Sequence, residues 1–81
     1  MYIYTRKGIF IMNKLSKFVK KKRKSLGLTQ EDLSFKAGVG LHFVRDLEQG
    51  KESLQMDKVN QILSLFGHEL GPVLIAKDEE S

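Results

Sequence analysis

From residue 13 to residue 67 the chain falls into four blocks separated by glycine, and in the first, third and fourth of them apolar side chains recur at intervals of three and four, the spacing of amphipathic helices packed on a shared core. The first block sets Leu15, Phe18, Val19 and Leu26 on one face, with Asn13 placed to cap its start and Gly27 to stop it. Arg23 falls on that same apolar face. The second block begins at Thr29, which forms a near capping box with Asp32 three residues on. Glu31 and Asp32 sit near the positive end of the helix dipole, Lys36 sits near the negative end, and Gly38 occupies the left-handed stop. A third helix is predicted from about Leu41 to Gly50. Phe43, Val44 and Leu47 face inward, while Leu41, His42, Arg45, Asp46 and Gln49 are left for something outside the core. Met56, Val59, Ile62, Leu63 and Phe66 form a fourth stripe ending at Gly67, which at this chain length is core packing rather than a ligand pocket.

The flanks follow a different pattern. Residues 1–11 are rich in aromatic and branched residues and favour a strand if a partner edge exists; an upstream extension, an arm and an added strand all remain open. After Gly67, the residues Leu70, Val73, Leu74 and Ile75 favour a strand, and Gly71-Pro72 rules out continued helix. A single strand is unstable, so it must pair with the N-terminal segment or with its own copy in a second chain. Pro72 confines it to an edge, which both strands of a two-stranded ribbon provide. The expected organisation is an extension over 1–12, a helical domain over 13–67, a dimerisation strand over 68–76 and a frayed acidic tail over 77–81.

Composition narrows the function. At 81 residues there is room for one core. Cysteine is absent, so no disulfide framework or cysteine-based zinc site is possible, and no cofactor or metal is expected. Apolar runs are too short for a membrane helix, and Arg6 and Lys7 interrupt the first one, so no membrane partner and a cytoplasmic location are expected. The net charge of +4 hides an asymmetry. Residues 1–28 hold nine Lys or Arg and no acid, whereas residues 29–81 hold five bases against ten acids. Lys20, Lys21, Lys22 and Lys24 surround Arg23 and read either as a solvated face or as phosphate contacts. An enzyme is not expected: there are two histidines, no phosphate-binding glycine loop and no unexplained acid/base pair.

Leu28-Thr29-Gln30, Asp32-Leu33, Ala37-Gly38-Val39, Val44 and Glu48-Gln49-Gly50-Lys51 together resemble the helix-turn-helix of the Xre (phage-repressor-like) family. The resemblance implies a mainly α, four- to five-helix lambda-repressor-like DNA-binding domain, here with a short C-terminal β-strand. By the family's pattern the third helix lies in the major groove, Gln30 and Lys51 hold phosphates, and Gly40, Leu41, His42 and Arg45 lie at the bases. Arg45 is the candidate reader of guanine, Leu41 of a thymine methyl, and Asp46 either orients Arg45 or caps a solvated face. The family also pairs the first-helix arginine with the glutamate that closes the third helix, here Arg23 with Glu48. Gly40 departs from the usual Ser or Thr cap, and Leu41 and His42 replace polar base-reading residues.

Phe43 to Lys51, Lys58-Val59 with Ile62-Leu63, and Gly67-His68-Glu69-Leu70 further resemble the HipB-like antitoxin branch. That implies a repressor of its own operon that also binds a HipA-like Ser/Thr kinase toxin. It also implies a homodimer held by paired terminal strands through Leu70, Val73, Leu74 and Ile75, reading an inverted repeat in double-stranded DNA. A stand-alone Xre-family regulator is the alternative.

Overall fold

The computed structural model describes residues 14–72. Among them are four helices, α1 (Lys14–Ser25), α2 (Gln30–Ala37), α3 (Leu41–Glu48) and α4 (Met56–Ser64). α1, α3 and α4 are amphipathic, whereas α2 buries only Leu33 and leaves Phe35 exposed; together the four helices enclose one core of Val19, Leu33, Val44, Leu47, Val59, Ile62 and Leu63. Leu15, Phe18, Ala37, Val39, Phe43, Leu54, Phe66 and Leu70 pack around it.

The ends are set by sequence. Thr29 caps α2 through a full capping box with Asp32, and each helix is followed within three residues by a glycine at positive φ: Gly27, Gly38, Gly50 and Gly67. At Gly67 the arrangement closes with His68 N–H donating to Leu63 O at 2.9 Å and Gly67 N–H to Ser64 O at 3.1 Å, which satisfies carbonyls the helix would otherwise leave open.

Two apolar residues assigned to the inner faces lie outside. Leu26 is 59% exposed because the chain has already left α1 and is turning through Gly27. Met56 is 68% exposed because it is the first residue of α4, a turn before the stripe meets the core at Val59.

The described part of the expected terminal strand, residues 68–72, has no regular structure, and no strand occurs among the described residues. Two of its amides are directed back to α4: His68 N–H to Leu63 O, and Leu70 N–H to Asn60 Oδ1 at 2.8 Å. Leu70 packs on the core of its own chain. The His68 ring packs at a tilt against Phe18 of α1 (centroids 4.7 Å apart), beside an edge-on Phe18–Phe66 pair at 6.3 Å, so aromatic contacts join α1 to the segment that follows α4. The cap expected at Asn13, the segment 1–12, the remaining strand positions Val73, Leu74 and Ile75, and the tail 77–81 lie outside the described residues.

Candidate nucleic-acid interface

The candidate surface is assembled around a buried charge. Arg23 is turned inward from α1 and is only 8% exposed, where an unpaired guanidinium is prohibitive. Its Nε donates to Glu48 Oε2 at 2.7 Å and its Nη2 to Glu48 Oε1 at 3.0 Å, a two-pronged pair. Its Nη1 donates to Leu28 O at 2.8 Å, fixing the segment that leads into α2. Glu48 Oε1 also accepts from Gln30 Nε2 at 3.0 Å. One carboxylate at the end of α3 therefore holds the first residue of α2 and the inner face of α1 together.

At the start of α2, Asp32 N–H donates to Thr29 Oγ1 (2.9 Å) and Thr29 N–H donates to Asp32 Oδ2 (3.0 Å). The backbone hydrogen bond from Thr29, helped by its hydroxyl and by Lys36, holds the Asp32 carboxyl below its ordinary value of 3.8.

The turn between α2 and α3 depends on Gly38, whose φ of +75° is strained for any residue with a Cβ. Gly38 N–H and Val39 N–H both reach Ser34 O, at 3.0 and 3.1 Å. From α4, Gln61 Nε2 donates to Ala37 O at 3.0 Å and reaches Gly38 O at 3.4 Å. Sequence reading missed Gln61: it is a lone polar residue beside the apolar stripe, and only the fold brings it to the turn.

α3 begins at Gly40, which has extended backbone but no side chain to cap the helix. Val44, Leu47 and Glu48 are buried. On the outer side, His42 and Arg45 are exposed and Leu41 is half-buried. Neither His42 nor Arg45 has a side-chain partner among the described residues. Asp46 does not address Arg45; its carboxylate faces Lys51 Nζ at 3.6 Å. The same residues are joined through the backbone, Lys51 N–H donating to Asp46 O at 3.0 Å past Gly50. Gln30 is half-buried at the start of α2 beside this surface, with one N–H engaged by Glu48. Of the expected dimerisation residues, only Leu70 lies in the described residues.

No helix among the described residues is long and apolar enough to cross a membrane.

A helix-turn-helix family model matches residues 19–71, about two thirds of the chain. The chain is also 49% identical over 45 residues to y4mF of Sinorhizobium fredii, described as an uncharacterised HTH-type transcriptional regulator. That alignment covers 56% of this chain and 59% of the relative, so the chain spans less than two thirds of the relative's length.

Proposed function

The chain belongs to the helix-turn-helix family, and from that premise we propose that it is a sequence-specific DNA-binding transcriptional regulator acting as a repressor. The observation that carries this reading is α3. Its buried face is used by Val44, Leu47 and Glu48, while His42 and Arg45 are exposed and Leu41 half-buried on its outer side. In this reading α3 enters the major groove and Arg45 donates to guanine O6 and N7. Leu41 meets a thymine methyl, His42 lies alongside, and Gly40 lets the backbone approach the bases. Gln30 and Lys51 hold phosphates on either side, with Lys51 exchanging its weak contact to Asp46 for the backbone. Two copies bound as a homodimer read an inverted repeat. Selection from random DNA tests the proposal: enrichment of a palindromic site supports it, and the absence of any enriched sequence refutes it.

A second reading adds a HipA-like kinase partner and makes the chain an autoregulating antitoxin. It is supported by the likeness of Lys58-Val59, Ile62-Leu63 and Gly67-His68-Glu69-Leu70 to the HipB-like branch. A tagged pull-down from the native host decides it. A near-stoichiometric kinase-like protein supports the antitoxin, and recovery of the chain with only itself and DNA leaves the stand-alone repressor.

A further inference from the structure

The twelve residues of α1 include six lysines and Arg23, with no acid. Ser16, Val19 and Arg23 are buried, and Arg23 points to Glu48 at the end of α3. Lys14, Lys17, Lys21 and Lys24 follow one another at steps of three, four and three and are all exposed. Helical geometry puts them roughly 100 to 180° around the axis from Arg23, in a stripe about 15 Å long. Lys14, Lys17 and Lys21 therefore lie on the side of α1 turned away from the Arg23 contact with α3, and Lys24 lies on its flank. None of the four is in an ion pair among the described residues.

We propose that this stripe is a docking surface for the phosphate backbone of a second nucleic-acid segment, separate from the duplex that α3 engages. That this segment is distinct from a first one rests on α3 reading DNA as proposed above; the stripe itself stands on its own charge and position. Its chemistry selects the partner. Surfaces that bind proteins are depleted in lysine and anchored by buried aromatics or arginine, and this stripe holds neither. Lysines act as compact point charges, and a duplex presents about one negative charge per 1.7 Å of axis, so a 15 Å stripe meets several phosphates without needing any base. A chain with a reading helix on one side and a lysine rail on another can hold two DNA segments together.

The test uses the full chain and a quadruple variant, Lys14→Gln, Lys17→Gln, Lys21→Gln and Lys24→Gln, which keeps helix-forming residues at exposed positions. A duplex bearing the sequence enriched by the wild-type chain is fixed to beads and saturated with protein. Capture of a labelled random-sequence duplex is then measured at low salt. The expected result is capture by the wild type that drops about tenfold in the variant, while affinity for the enriched duplex changes less than about twofold. The proposal is overturned if the wild type captures nothing, or if the variant captures as well, which would mean that paired copies bridge through α3. It is also overturned if the variant loses affinity for the enriched duplex with a salt slope shallower by about three to four, because the lysines then touch the same DNA. Displacement by polyglutamate as effective as by duplex would assign the stripe to an acidic polypeptide instead. Failure of the α3 reading has a different signature, the absence of any enriched sequence. In that event, equal binding of random duplex by wild type and variant overturns the stripe as well.

Discussion

Gln30 and Glu48, eighteen residues apart, are joined by a 3.0 Å hydrogen bond through the same carboxylate oxygen that accepts from Arg23. The amide that begins α2 is thus oriented by the buried ion pair and keeps a second N–H for an outside acceptor. Removing the carboxylate strands a buried guanidinium, so Glu48→Ala is expected to cost about 3 kcal/mol or more, read as a lowered midpoint in urea or thermal unfolding. An unchanged melting curve would remove the pair from the account of stability. Replacing both partners, Arg23→Met with Glu48→Leu, is expected to recover most of that loss, since a packed apolar pair avoids the desolvation of both charges.

Arg45 separates specificity from stability. It is exposed and bonds to nothing else through its side chain among the described residues, so Arg45→Ala should leave the melting temperature nearly unchanged. Binding to an enriched site is expected to weaken by about 1 to 3 kcal/mol more than binding to random duplex, as measured by competition titration. Equal weakening of both would place Arg45 on the backbone rather than at a base.

Gly40 is a vacant cap. It precedes α3 with extended backbone, forms no side-chain cap bond, and a Cβ there meets nothing within 4 Å. Gly40→Ser supplies an oxygen for the first-turn amides and reduces the freedom of the unfolded chain, for an expected gain of about 0.5 to 1 kcal/mol. Thermal unfolding checks it. If the glycine is there so that the backbone can approach the bases, the more stable variant will bind DNA less tightly.

Asp32 gives the capping box a pH dependence. Its folded carboxyl titrates below the ordinary value, so its contribution is fully present above the unfolded value and is lost as pH falls through the folded one. Unfolding midpoints measured from pH 6 downward should therefore decline on acidification. Asp32→Asn should flatten part of that decline, because the neutral amide no longer titrates. Parallel curves for the two proteins would show that other carboxylates account for the whole slope.

The sequence was most legible where one residue decides a local conformation. Thr29 with Asp32, and the glycines at 27, 38, 50 and 67, gave the helix ends because a cap or a left-handed backbone leaves few alternatives. The three- and four-residue spacing gave the core through Val19, Val44, Leu47, Val59, Ile62 and Leu63, whereas Leu33 of the short second helix stood out only as part of the family motif. Periodicity says which face is apolar but not where a helix runs past its neighbours, which is why Leu26 and Met56 lie outside. Hydrogen bonds between distant polar side chains and backbone carry no periodic signal. Gln61 at the turn carbonyls and Asn60 on the Leu70 amide depend on the fold to bring them there.

α2 and α3 are eight residues each, below the roughly 12 to 15 at which an isolated helix begins to persist in water. Neither outlasts the loss of the core, so the outward side chains of α3 exist as a set only while the whole domain is folded. On the reading proposed above, DNA occupancy and cooperative melting are then one event seen by two probes. Near its midpoint, a few degrees of warming would act on a controlled gene as a sharp fall in regulator dose, with no inducer and no change in the amount of protein made.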